Sequence, residues 1–261
     1  MKTKIMGILN ITDDSFFEES RTNISEARER IENMLRDGAD MIDIGALSSR
    51  PGSKMISDEE ELNRVRDVLD IIKKNRFYEK AIFSLDSYSP LTIDYALNCG
   101  FKIVNDITGL SDDNVCVVAK KHKATVCIMH MKGTPQDMQE DPTYEDVVRE
   151  VDEFFTQRVE KAKIFGIEDI ILDVGIGFGK NLKHNIALIK NHACFSHFGY
   201  PLLVGASRKS MIDKISPSAV KDRLGGTLAI HIEAVRNKAS IIRCHDVKEH
   251  VQAIRVFEAL Q

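Results

Sequence analysis

Eight short runs rich in Ile, Val and Leu each end on a residue capable of polar chemistry. The runs are KIMGILN, MIDIGA, AIFSLDS, KIVNDIT, TVCIMHM, DIILDVG, PLLVGAS and IIRCHDV. At or just past their ends stand Asn10, Asp43, Asp86, Asn105, His130, Asp173, Ser207 and His245. One aspartate in such a place is ordinarily a turn or helix-capping residue. Eight in succession are hard to explain as capping and point to one shared pocket. Three carboxylates (Asp43, Asp86, Asp173) and two amides (Asn10, Asn105) suit a planar, nitrogen-rich heterocycle, because a carboxylate accepts two of its N–H groups. A divalent metal held by carboxylates is the alternative, but such sites need neighbouring acids or histidines, and these acids are dispersed. GASRKS and RCHD supply Arg208, Lys209, Ser210, Arg243 and His245, and SSRPGS supplies Arg50. These groups suit a phosphoryl anion on the other side of the ring, although each arginine alone could be a surface ion pair. DVGIGFGK lets the backbone approach a flat ligand, with Phe178 as a wall. Met129 fits either core packing or a stacking role.

The elements that must carry these residues follow from periodicity. Each apolar run has the length of a buried strand, and amphipathic stretches separate them. SDEEELNRVRDVLDIIKK opens with Ser57 and Glu60 in capping-box spacing, EARERIENMLRDGAD ends at Gly38, and the long YEDVVREVDEFFTQRVEKAKIFG ends at Gly166. Eight strands, seven helical crossovers and a last helix from about Val247 predict a (β/α)₈ TIM barrel, a single domain over 1–261. The rival is an open doubly wound sheet, but no G-x-G-x-x-G follows the first strand. In a barrel the carboxyl-end rim carries the site, and the loops after strands seven and eight are the usual phosphate site. The chain has 36 basic and 40 acidic residues, a net charge of −4, and so lacks the basic footprint of a nucleic-acid binder. Five scattered cysteines, no apolar span and no signal-like N-terminus lead to the expectation of a soluble, cytoplasmic protein. His184, His192, His197 and His250 are expected at helix surfaces or caps, and LAIHIEAV is expected as core or subunit interface.

Taken together and in order, GILNITDDSF, DIGALSSRPG, SLDSYSP, NDITG, MHMKGTPQDMQ, ILDVGIGFGK, LLVGASRKS and RCHDV resemble the dihydropteroate synthase family nearly end to end. The resemblance implies a barrel, a homodimer and a transferase of folate biosynthesis. The implied reaction joins 6-hydroxymethyl-7,8-dihydropterin pyrophosphate to 4-aminobenzoate, with pyrophosphate leaving before the amine attacks. By motif, Asp86, Asn105, Met129, Asp173, Phe178 and Lys209 would hold the pterin. Arg243, His245 and Asn10 would hold the pyrophosphate, Asn10 through Mg²⁺. Ser49, Arg50, Pro51, Phe178 and Ser210 would line the aminobenzoate site. Lys209, Asp86, Arg243 and His245 are the expected catalytic set. The chain departs from the family pattern at Asp13, Phe17, Leu47, Ser49 and Val174, so the loops closing over aminobenzoate are the expected place of difference. A barrel methyltransferase that uses pterin would share the Asp/Asn ring but has no pyrophosphate to anchor. A non-catalytic pterin-binding paralogue would have no reason to keep Lys209, Arg243 and His245 together.

Overall fold

The computed structural model describes residues 2–11, 20–45 and 56–261. Its strands are β1 (Lys4–Asn10), β2 (Met41–Gly45), β3 (Ile82–Asp86), β4 (Ile103–Asp106), β5 (Thr125–Met129), β6 (Ile170–Asp173), β7 (Leu202–Val204) and β8 (Ile241–Cys244). All pair in parallel and in chain order, and β8 returns to β1 to close a barrel. The helices among the described residues are α1 (Ser20–Asp37), α2 (Asp58–Lys74), α3 (Pro90–Asn98), α4 (Asp113–His122), α5 (Val147–Ile164), α6 (Leu182–Lys190), α7 (Ser210–Ile215), α8 (Leu224–Arg236) and α9 (Val247–Ala259). The (β/α)₈ expectation holds, with one addition: the last crossover carries two helices, α7 and α8.

Local sequence explains the helix ends. The Ser57 hydroxyl accepts from the Glu60 N–H at 3.2 Å and starts α2. The Asp146 carboxylate accepts from Val148 and Arg149, so the long helix α5 begins at Val147, three residues later than the apolar period alone indicates. Tyr144 stays outside it and donates its hydroxyl to the Gly179 carbonyl.

Strand alternation then sorts the side chains. Phe83, Val104, Val126, Leu172, Val204 and Ile242 point outward into the layer shared with the helices. Met6, Met41, Ile103, Cys127, Ile171, Leu203 and Ile241 point inward and pack as a separate apolar floor. Two residues further along β2, β4, β6 and β8 the inward series turns polar, at Asp43, Asn105, Asp173 and Arg243. The barrel interior is therefore oily at its amino end and charged at its carboxyl end. No described helix is long and apolar enough to cross a membrane.

Candidate active site

The register decides which polar residues meet. Asp43 lies opposite Ile8 and Ser84, two residues before the end of β2, and Gly45 lies opposite Asp86, which lies opposite Asn105. Asp43 is thus inside the barrel, one layer below the rim where the sequence placed it. Its Oδ2 accepts from Asn105 Nδ2 at 3.0 Å and from Arg243 Nε at 2.7 Å. Arg243 also donates Nη2 to Asp86 Oδ2 at 2.8 Å. One guanidinium therefore clamps two carboxylates from neighbouring strands. Acids and bases interlock here, where the sequence reading set the acids on one side of the ring and the bases on the other.

The electrostatics follow from that shared cation. Burial opposes the charge on Arg243, but Asp43 and Asp86 outweigh it and push its pKa up. Two acids share one positive charge, so one is poorly compensated. Burial first, with Asp43 and Asp106 adding to it against Arg243, raises Asp86 to about 7.

Lys209 caps the start of α7, and its ammonium donates to the Ile176 carbonyl and lies 4.2 Å from the centre of the Phe178 ring. Burial depresses its pKa to about 8, against the attraction of Asp173 and Asp86. Asp173 Oδ1 accepts from the Gly175 N–H at 2.8 Å, and burial raises its pKa. The loop from Gly175 to Gly179 presses against the loop after β5. Gly175 has φ +66°, and a Cβ there would stand 2.0 Å from the His130 carbonyl oxygen. At Gly179 a Cβ would stand 2.2 Å from the Lys132 carbonyl oxygen. Only glycine permits that contact, and it brings Phe178 and the Ile176 carbonyl up to Lys209. Met129 is buried beneath this turn, on β5.

The phosphate-side residues divide. The Ser207 hydroxyl lies 2.9 Å from His245 Nδ1, and its oxygen accepts the His245 backbone N–H at 3.2 Å. Burial, with Arg243 and Arg208 nearby, lowers the His245 pKa to about 4, so the ring is neutral at pH 7. Arg208 is not a rim cation: with φ +57° it turns to Asp246, donating Nε to Oδ2 at 3.0 Å. Ser210 is exposed at the first turn of α7, and Asn10 is half-buried at the end of β1. Ser49, Arg50, Pro51, Asp13, Phe17 and Leu47 lie outside the described residues.

Several residues of this region escaped the sequence reading. Lys180 is fully enclosed and donates to His130 Nδ1 at 2.8 Å and to the carbonyls of His130 and Phe178 at 3.1 and 2.8 Å. Its three N–H groups are all used, tying the loop after β5 to the loop after β6. Burial first, with the charge of Lys180 adding to it, holds the His130 pKa down at about 2, so the ring accepts as neutral imidazole. Asp106 accepts from Thr108 N–H, Thr108 hydroxyl and Leu110 N–H and holds the NDITG loop in shape. The spacing D-x-T was the readable signal for that turn. His192 and His250, expected at helix surfaces or caps, are both buried. His184 does cap α6, in a reciprocal box with Asn181, and His197 is exposed and paired with Asp152. In the α8 stripe the buried face is Thr227, His231 and Ala234, two of them polar.

Residues 6–245, which hold the ring of Asp, Asn, Arg and Lys at the carboxyl end of this parallel barrel, match the family described as pterin binding enzyme. Dihydropteroate synthase of Escherichia coli strain K12 is 43% identical over 258 residues, covering 98% of this chain and 90% of that protein. The Yersinia pestis dihydropteroate synthase, solved with a sulfonamide drug, superposes with a TM-score of 0.93 at 38% identity, over 99% of this chain and 94% of that one. The Thermus thermophilus enzyme, solved with 4-aminobenzoate, gives 0.88 at 34% identity, over 100% and 95% of the two chains. The chain belongs to the dihydropteroate synthases, the transferases of folate biosynthesis.

Proposed function

We propose that this chain condenses 6-hydroxymethyl-7,8-dihydropterin pyrophosphate with 4-aminobenzoate by a dissociative route, and that sulfonamides compete for its aminobenzoate site. The observation that carries this reading is the interlocked ring of Asp43, Asp86, Asn105, Arg243 and Lys209 at the carboxyl end of the barrel. Carboxylates of that ring accept the N–H groups of the pterin edge, and Phe178 walls its face. The bond from the pterin methylene carbon to the bridging oxygen breaks first, and its electron pair leaves with pyrophosphate. Carboxylates around the ring favour the pterin cation, while Arg243 and the loops after β7 and β8 favour the anion. The aniline nitrogen then attacks the methylene carbon and releases a proton to solvent or to the departing anion. No strong general base is needed, because a neutral aromatic amine is already nucleophilic. The protein contributes position and preorganised charge.

The donor chemistry fits Mg²⁺ held mainly by substrate oxygens. Among the described residues no group of three His, Cys, Asp or Glu could cage a metal. A Cβ on Gly45 would stand 3.1 Å from Asn10 Oδ1 and 3.8 Å from Asp86 Oδ2, so the missing side chain leaves a cradle flanked by hard oxygens. Asn10 is the residue that would hold the ion, and bound Mg²⁺ would neutralise charge on the leaving pyrophosphate.

The test is pyrophosphate release by the purified protein with dihydropterin pyrophosphate and Mg²⁺. Release is expected to depend on 4-aminobenzoate; tight pterin binding without aminobenzoate-dependent release would overturn the reading. We also propose a cytoplasmic homodimer. Ile215 and Val220, exposed beside α8, offer apolar surface to a second copy, and Cys99, Cys116, Cys127, Cys194 and Cys244 are free thiols, as a reducing compartment requires. Light scattering at micromolar concentration is expected to give twice the 29.4 kDa chain mass; a single-chain mass would remove the dimer.

A further inference from the structure

Behind the site, the loops after β7 and β8 are joined by two histidines that the reaction does not use. His231 on α8 and His250 on α9 are both fully buried. The Ala206 N–H donates to His231 Nε2 at 3.0 Å. His231 Nδ1 lies 2.8 Å from His250 Nε2, and His250 Nδ1 lies 2.6 Å from the Asp246 carbonyl oxygen. One proton arrangement satisfies all three contacts. A backbone N–H only donates, so His231 Nε2 accepts and its proton sits on Nδ1. That proton is given to His250 Nε2, and the His250 proton on Nδ1 goes to the carbonyl, which only accepts. Both rings are neutral in this arrangement, in keeping with burial lowering both pKa values.

The ends of the chain matter. Ala206 immediately precedes Ser207, Arg208 and Lys209, and Asp246 immediately follows His245. One turn before His231 on the same face of α8, Thr227 accepts the Arg208 N–H at 3.0 Å. Helix α8 therefore grips the backbone on both sides of Ser207, and His250 carries that grip to the residue after His245. An apolar pair would fill the same volume but would leave the buried Ala206 N–H without an acceptor. What the imidazoles add is direction.

We propose that the His231–His250 pair is a positioning element that sets the spacing between Lys209 and the Arg243–His245 pair, and through it the affinity for the pyrophosphate-bearing pterin. This inference rests on the reaction proposed above. His231→Leu leaves the Ala206 N–H and His250 Nε2 without partners. His231→Gln presents an acceptor and a donor side by side, as the ring does. The double variant His231→Leu/His250→Leu removes both partners of the histidine–histidine contact, which stability tolerates better than removing one, and leaves only the Ala206 N–H to find another acceptor. Calorimetry with dihydropterin pyrophosphate and Mg²⁺ on the full chain is expected to show roughly tenfold weaker binding for both leucine variants, as a small misplacement of a charged contact produces. His231→Gln is expected to restore most of it. At saturating pterin the aminobenzoate KM is expected to stay within about twofold, whereas a merely structural role would lower the active fraction and leave both constants alone. ¹⁵N spectra of the wild-type rings are expected to show both protons on Nδ1. Unchanged pterin affinity in the folded double variant, or a proton on Nε2 of either ring, would overturn the proposal. Failure of the proposed reaction itself shows separately, as wild-type protein that releases no pyrophosphate.

Discussion

Lys209→Ala is expected to reduce turnover by on the order of a hundredfold or more, about 2.7 kcal/mol or more of transition-state stabilisation. The ammonium lies between the Ile176 carbonyl, the Phe178 face and the carboxylates of Asp173 and Asp86. Removing it deletes the cation that balances those acids, and it frees the loop from Gly175 to Gly179 from its contact with α7. Both effects act on the bound pterin. Lys209→Arg keeps the charge but replaces a compact head by a planar fork, so a partial loss is expected. A loss below about threefold for alanine would mean that the pterin lies elsewhere. Steady-state kinetics with both substrates, supported by a folding check, decides it.

How this cluster is built shows what a sequence does and does not disclose. The inward series of Met41, Asp43 and Gly45, or Ile103 and Asn105, is legible because a strand alternates and an apolar run interrupted by Asp or Asn stands out. The barrel is legible for the same reason, repeated eight times. Partners are not. Arg243 reaches Asp43 and Asp86 because β8 closes on β1 and the registers of β1, β2 and β3 are staggered. That closure joins residues 200 and 157 positions apart, and no local pattern encodes it. Arg208 illustrates the same limit: its position beside Lys209 suggests a phosphate ligand, but a left-handed backbone turns it to Asp246. His250 was hidden because a histidine on an amphipathic helix reads as surface or cap, and His231 because its stripe reads equally as core or interface; the burial of both depends on α8 and α9 packing together. Lys180 closes a glycine motif and reads as its polar end, whereas the close approach of Gly175 to His130 draws its ammonium inward.

Asp86→Asn is expected to cost a comparable hundredfold in kcat/KM near neutral pH, and it carries a second signature that Lys209→Ala does not share. Asp86 titrates at about 7 because it is buried and shares the Arg243 charge with Asp43. Lys209 titrates at about 8 because its ammonium is buried. The reaction as proposed uses Asp86 as carboxylate and Lys209 as ammonium. The sign follows for each group. Asp86 is protonated below its raised pKa, so activity rises with pH through about 7. Lys209 is neutral above its lowered pKa, so activity falls with pH through about 8. The wild-type kcat/KM profile for dihydropterin pyrophosphate is therefore expected to be a narrow bell between these limits. The asparagine variant has nothing to ionise, so its residual activity is expected to lose the acid limb and keep the alkaline one. Lys209→Arg, charged throughout, is expected to do the reverse. Retention of the acid limb in Asp86→Asn would assign that ionisation to another group, with Asp173, whose pKa burial also raises, the nearest candidate. Arg243 pairs with Asp86 and its charge also lowers the Lys209 pKa, so Arg243→Leu is expected to move both limbs and not one alone.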